Sequence, residues 1–455
     1  MKLANFISLL TVYLKQKQVR ENCNNLIYKI ISKMNSQLWA LSESHNEYNN
    51  FHNMLSGSLK TTVNTEKINL ALLAGQSDYF RSKDFHIIVH DPSSIRKPES
   101  QNAEYLCQVK DLDNKIVNGY MTYNCIAVDL KANPIHLLRC IPYSTEQPEY
   151  VTQAELQQVA HKTMTDRIRA KKIKDFTEQG TAFNLRTLTF DAIKTITAQI
   201  LKENPNAIII DVFDRGFDSS PLFEYETEQG NSFVVRLKLN RNSNEIILDI
   251  DGVEQAVKLK NQNFNSAHEK IFAKIHFKDT LYTNVKGIFE WNKLVIKQKT
   301  YSVVRISFFE SNGKKIFAEP MLLITNILVD DETMAMLVFE IYMTRSKIEG
   351  VFKFCKTNLG WEKIQIPVFE AIKNLLSLVF FVAGYFYEIE DEMTKDTTLI
   401  WLAKLGGGKG KVTKNYILRG LAMLINYRIA QQYIKEHNIS EELIDIILKT
   451  CKSNK

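Results

Sequence analysis

The sequence predicts a mixed α/β core flanked by helical segments, and three observations carry that prediction. Short apolar runs bounded by turn residues recur at 85–89, 123–130, 135–141, 207–213 and 233–237, with the length and punctuation of strands. A mainly helical stretch, 151–204, separates the third run from the fourth. A β-rich stretch, 239–313, follows the fifth run, and helices dominate from 331 onward. Strands interleaved with helices in one chain pack as a sheet with helical layers.

Taken in order, residues 1–80 read as helical and polar, with Leu26, Ile27, Ile30 and Ile31 at helical spacing. The opening Leu3–Leu14 is apolar like a secretory leader. It lacks a small-x-small cleavage site, and Lys15, Lys17 and Arg20 follow at once, so an amphipathic helix is expected. Phe85–Val89 is the first strand, and Pro92 is expected to stop it. Lys131–Pro134 is a turn between the second and third strands. Ala207–Phe213 is a buried strand bounded by Asn204-Pro-Asn206 and Asp214-Arg-Gly216. Leu322–Thr325 is a further strand, and 331–359 is one long helix. Leu375–Tyr387 is strongly apolar but short of the roughly 20 residues a bilayer crossing needs. It is expected as a buried core helix, with no membrane partner.

The expected domains are a helical unit over 1–80, a first part of the core over 81–238, a β-rich insertion over 239–313, and a second part of the core with C-terminal helices over 314–455. A chain of 455 residues has room for about three domains. Its 45% apolar and 24% charged content suits a globular protein with a sizeable core. The net charge of +7 favours polyanionic partners, though weakly. None of the six cysteines sits in a C-x-x-C pair, which excludes a zinc knuckle or a thioredoxin-type motif and leaves reduced cytosolic thiols.

The strongest local pattern lies on the helix over 331–359. Tyr342, Arg345, Glu349 and Lys356 follow the spacing Tyr-x2-Arg-x3-Glu-x6-Lys. At about 100° per residue all four fall on one narrow stripe. Leu337, Ile348, Val351 and Cys355 fall opposite, where a core-facing surface belongs. Such a stripe can be a solvated face with an i,i+4 ion pair. Its content points to chemistry on phosphates: a carboxylate for a metal, two cations and a phenol.

This quartet resembles the Tyr-Arg-Glu-Lys motif of DDE transposases in bacterial insertion-sequence family four. The resemblance covers roughly residues 80–430. It implies an RNase H-like core with a β-rich insertion between the second Asp and the Glu, and an N-terminal helical domain that helps bind DNA. It also implies two more carboxylates. Asp91 resembles the first, at the end of Phe85–Val89. Asp214 resembles the second, at the end of Ala207–Phe213 and followed by Arg215-Gly216 as in the family. Asp211 is a rival for the second, and Asp218 is expected to be a helix cap.

On this resemblance Asp91, Asp214 and Glu349 hold two Mg²⁺ ions, with Mn²⁺ a possible substitute. Tyr342, Arg345, Lys356 and Arg215 contact DNA. The implied partners are double-stranded DNA, as terminal inverted repeats and as target, and a second protomer in a synaptic complex. The implied location is the bacterial cytoplasm, at the nucleoid. The implied reaction is cleavage at the element's ends followed by joining to target DNA. Two rivals stay open: an RNase H-like nuclease that cuts without joining, and a silent DNA-binding relic.

Weaker signals remain. Lys162, Arg167, Arg169, Lys171, Lys172 and Lys174 face only Asp166 in sequence, and form either a phosphate-tracking patch or a solvated helix face. Gly406-Gly-Gly-Lys-Gly-Lys411 lacks the Walker spacing, and a helix rather than a strand precedes it; a turn is expected. His86 and His90 are expected as core or surface histidines, and Trp291 as a packing residue.

Overall fold

The computed structural model describes residues 2–57, 62–111, 113–130, 135–238, 247–250, 253–256, 264, 266–277, 280–440 and 444. The turn expected at Lys131–Pro134 lies outside these residues.

In chain order the elements begin with α1 (Leu3–Thr11), α2 (Lys17–Lys33), α3 (Leu38–Leu41), α4 (His45–Ser56), α5 (Thr65–Gly75) and α6 (Ser77–Arg81). The first strands are β1 (Phe85–Arg96), β2 (Cys107–Lys110), β3 (Ile116–Val128) and β4 (Ile135–Tyr143). Next come α7 (Gln153–Ala160), α8 (Arg167–Glu178) and α9 (Leu185–Glu203), then β5 (Ile208–Phe213), α10 (Ser220–Gln229) and β6 (Ser232–Arg236). The β-rich stretch contributes β7 (Ile247–Ile250), β8 (Val253–Ala256), β9 (Ser266–Phe277), β10 (Thr280–Ile296) and β11 (Lys299–Phe309), and β12 (Met321–Thr325) follows. The chain continues with α11 (Glu332–Met343), α12 (Lys347–Asn358), α13 (Phe369–Glu388), α14 (Thr397–Leu405) and α15 (Lys414–Glu436).

Two compact units result, 65–352 and 1–64 with 353–455. The divisions differ from those expected. Helices α5 and α6 pack with β4 and α9 in the first of these units, so its start is at 65 rather than 81. The C-terminal helices group with the N-terminal ones: α13 packs on α2 and α4, and α15 on α2.

In the unit 65–352 the strands join one mixed sheet. Five of them, β1, β3, β4, β5 and β6, stand in the spatial order β4-β3-β1-β5-β6. Numbered along the chain, that order is 3-2-1-4-5. β1 is parallel to β5 and β5 to β6, while β3 is antiparallel to both β1 and β4. This is a mixed α/β fold with an RNase H-like core. Helices α9 and α10 cover one face, where Ala192, Ile193, Ile196, Leu222 and Phe223 bury against Ile88, Tyr123, Cys125 and Phe213. Helix α11 packs by β5, β6, β10, β11 and β12. The β-rich stretch does not stand apart from the core. β12 pairs antiparallel with β6, β11 with β12 and β10 with β11, so the stretch extends the same sheet. Trp291 on β10 is buried there, in a packing role.

Three local expectations need correction. Pro92 does not stop β1, which runs on to Arg96. β5 pairs with β1 only as far as His90, so from Asp91 onward β1 pairs with β3 alone among the described residues. An edge of that kind tolerates a residue with no N–H. The helix over 331–359 is interrupted by a 3₁₀ turn at Thr344–Ser346. The apolar helix α13 covers 20 residues, more than the apolar run suggested. Its length would let it cross a bilayer; burial inside its own unit, not shortness, marks it as a core helix.

In the unit 1–64 with 353–455, α1 turns Phe6, Ile7 and Leu10 inward, and the Phe6 ring packs, tilted by 32°, with its centre 4.6 Å from that of Phe381 of α13. The glycine-rich stretch is the corner between α14 and α15. A Cβ on Gly406 would meet the Tyr416 carbonyl oxygen at 2.0 Å, and one on Gly420 the Leu402 carbonyl oxygen at 1.9 Å. These glycines serve close packing of two helices.

Candidate active site

Parallel strands bring their carboxyl ends to one edge of the sheet, where side chains from different strands can meet. The last pair between β1 and β5 is His90 with Phe213. Asp91 and Asp214 each come one residue later, so the two strands deliver both carboxylates to the same edge. Asp214 leaves the strand as the cap of a 3₁₀ turn, Arg215–Phe217, and its carbonyl accepts the Phe217 N–H at 2.9 Å. Asp91 stays in β1 opposite Asn124, whose side-chain amide donates to the Asp91 carbonyl at 3.3 Å.

The helical segment after β12 supplies the rest. α11 starts from an Asp331 cap and buries Val338, Phe339, Ile341 and Tyr342. The Tyr342 hydroxyl donates to Asp214 Oδ1 at 3.2 Å. The 3₁₀ turn then carries Arg345, whose Nη1 donates to Asp91 Oδ2 at 3.0 Å and whose Nη2 donates to Glu349 Oε1 at 2.9 Å. Ile348 and Val351 of α12 are fully buried, which turns Glu349 outward. Lys347 donates to the Asp129 carbonyl at 2.7 Å and ties the start of α12 to the end of β3.

One guanidinium therefore serves two carboxylates, with a third nearby. Burial is the largest influence on Asp91 and raises it; Arg345 opposes, and the charges of Asp214 and Glu349 add, so that its pKa reaches about 7. Tyr342 is pushed up to about 12, by burial first and then by Asp214. Burial works against the charge on Arg345, yet Asp91 and Asp214 outweigh it and raise its pKa. The centre is rich in negative charge, with Asp91 largely buried and Glu349 open to solvent.

The structure brings Asp91, Asp214, Glu349, Tyr342 and Arg345 together. Arg215 lies beside Asp214 and is exposed. Lys356 falls on α12 two turns beyond Glu349, in the other unit, with Nζ 3.6 Å from Glu362. Lys171 and Lys172 are exposed on α8. Arg169 is tied down by Glu155 and by the carbonyls of Pro148 and Tyr150, so it anchors α8. Asp211 is buried within β5, hydrogen-bonded to His90 and Asn231. Ser219, not Asp218, takes the cap position of α10, and Asp218 accepts the Lys238 N–H at 2.8 Å.

Arg236 escaped the sequence reading. It ends β6, the next parallel strand, and hydrogen-bonds Tyr342. The signal was available: it is the one charged residue in the apolar run 233–237.

Residues 190–384 match the family model for the transposase DDE domain. The matched stretch contains Asp214, Tyr342, Arg345, Glu349 and Lys356, while Asp91 lies before it. No curated protein matches the chain. The similarity supports a transposase of the DDE type, acting on DNA.

Proposed function

We propose that the protein cuts the ends of an insertion sequence and joins them to target DNA, with Asp91, Asp214 and Glu349 holding two divalent cations. The observation that carries this reading is the convergence of the three carboxylates at one sheet edge, two of them inside the matched transposase domain. The Tyr-Arg-Glu-Lys spacing supports membership of insertion-sequence family four.

The donor set suits Mg²⁺, with Mn²⁺ as a substitute. Hard carboxylate oxygens are the ligands Mg²⁺ prefers. The charges of Asp214 and Glu349 raise the proton affinity of Asp91, and a cation there would relieve that repulsion. Among the described residues no three acidic, histidine or cysteine side chains already stand in metal-binding geometry. Arg345 bridges Asp91 and Glu349, so a dication would compete with it for both. Bound dications supply the charge that makes a nucleophile of water and stabilises the leaving oxygen.

The chain's own groups do the rest. Arg345, once it releases a carboxylate, presents its planar fork to a phosphate, and Lys356 offers a point charge. Tyr342, fixed on Asp214, presents its ring and hydroxyl to the DNA near the cut. In the first reaction water attacks a backbone phosphorus and a 3′-OH leaves. In the second that 3′-OH attacks a phosphorus of the target and displaces another 3′-oxygen, so the number of phosphodiester bonds is conserved and no protein ester forms. Two protomers on two DNA ends would make the synaptic complex, at the bacterial nucleoid.

The test is cleavage of DNA carrying the element's own ends, with Mg²⁺ and with a chelator. Cutting that needs Mg²⁺ and leaves a 3′-OH able to join a target supports the proposal. Cutting without joining would reduce the protein to a nuclease, and end binding without cutting would make it a relic.

A further inference from the structure

Directly behind the carboxylates, on the face of the sheet covered by α9, lies a chain of buried polar groups that the reaction does not use. His90 precedes Asp91, so its side chain points to the opposite face. It is fully buried between three strands. Its Nδ1 is 2.8 Å from the Tyr123 hydroxyl on β3, and its Nε2 is 2.6 Å from Asp211 Oδ1 on β5. Asp211 Oδ2 accepts from Asn231 Nδ2 at 2.9 Å, and the same amide lies 2.8 Å from Thr197 Oγ1 on α9. All five residues are 5% exposed or less. Beside them Glu226 is buried too; burial first, then the Asp211 charge, push its carboxyl well above the ordinary range.

Such a network is costly in a core. Apolar residues of similar volume would hold the strands together at least as well. What apolar packing lacks is a fixed lateral distance. The last pair of the ladder between β1 and β5 is His90 with Phe213, so the gap between Asp91 and Asp214 opens one residue beyond the paired strands. The His90–Asp211 bond crosses between the two strands just before that gap, and Tyr123 fixes His90 from the other side.

We propose that the chain Tyr123–His90–Asp211–Asn231–Thr197 is a positioning device that sets the separation of Asp91 and Asp214, and with it the cation affinity of the site. This rests on the reading of Asp91 and Asp214 as cation ligands. None of the five touches the reacting atoms; they act through the two strands.

The experiment is Mn²⁺ titration of the full chain, followed by calorimetry, beside thermal melts and the Mg²⁺ dependence of cleavage. The variants are Asp211→Asn, which keeps the shape, and Thr197→Val, which breaks only the far end. Asp211→Asn is expected to melt cooperatively, to weaken Mn²⁺ binding about tenfold, and to raise the Mg²⁺ needed for cleavage to match. Thr197→Val is expected to weaken Mn²⁺ binding about threefold. Lower melting temperatures with unchanged Mn²⁺ affinity would overturn the proposal and leave the network a stabiliser alone. Should Asp211→Asn not fold, Thr197→Val decides by the same criterion. Wild type that binds Mn²⁺ no better than Asp91→Asn would instead overturn the reading of the site beneath it.

Discussion

Two arginines of the same sheet-forming unit show opposite ways of meeting carboxylates. On the extension of the sheet, Arg305 of β11 meets the carboxylate of Glu290 on β10. Its Nε and Nη2 reach the two oxygens at 2.7 and 2.6 Å, and its guanidinium lies 4.3 Å from the Phe264 ring centre. At the sheet edge, Arg345 spends one nitrogen on Asp91 and another on Glu349, and Asp214 makes a third acid in the same centre. In the first pair one guanidinium grips both oxygens of one carboxylate. The second centre carries more negative charge than its arginine can neutralise. Folding alone gives no reason for such an excess, and under the proposed function it is where a cation and a phosphate would be accommodated.

The comparison can be broken most sharply by removing acids from each place. Glu349→Gln and Asp214→Asn are expected to lower cleavage about a thousandfold or more, since on the proposed function they would hold cations that supply several kcal/mol, while melting temperature and end binding hold. Wild-type rates in either variant would remove that residue from the site. Glu290→Gln should do the reverse. It removes the negative charge that faces Arg305 in a largely buried place and costs about 2 kcal/mol of stability, read by denaturant melts, with little change in cleavage at a temperature where the protein is folded.

Proton competition sharpens the contrast further. The pKa of Asp91 rises from the ordinary 3.8 to about 7. The folded protein then holds this proton more tightly than the unfolded chain, so the stability it contributes is complete at acid pH and shrinks as pH rises from 3.8 to about 7. Cation binding has the opposite slope: Mn²⁺ affinity should fall about tenfold per unit below the Asp91 pKa and level off above it. A flat profile across that range would show that Asp91 does not bind the cation. The smallest effect is expected from α8, where Lys171→Ala with Lys172→Ala should reduce the salt dependence of DNA binding by about two phosphate contacts. An unchanged salt slope would assign that face to solvent.

Much of this centre was legible in the chain. The runs at 85–89 and 207–213 are each followed within two residues by an Asp, and the quartet from Tyr342 to Lys356 has the period of a helix. The fold class followed from the same runs. What escaped depends on neighbours that local pattern cannot show. β1 continues past Pro92 because β5 has already left its side. Arg345 sits on a 3₁₀ turn rather than in the α-helix its spacing suggested. Helices more than 300 residues apart in sequence, α2 and α13, belong to one unit, and no window of sequence joins them. His90 and Asp211 looked like a stray core histidine and a rival ligand until the register placed them side by side.

The corner between α14 and α15 carries a lesson about mutational tolerance. In an ordinary core, a leucine can become a methionine at small cost because neighbours shift a little. At Gly406 and Gly420 the neighbour is backbone, 1.9 to 2.0 Å from where the first side-chain carbon would stand, and backbone does not shift alone. A saturation scan of this corner would therefore find its least replaceable positions at residues with no side chain.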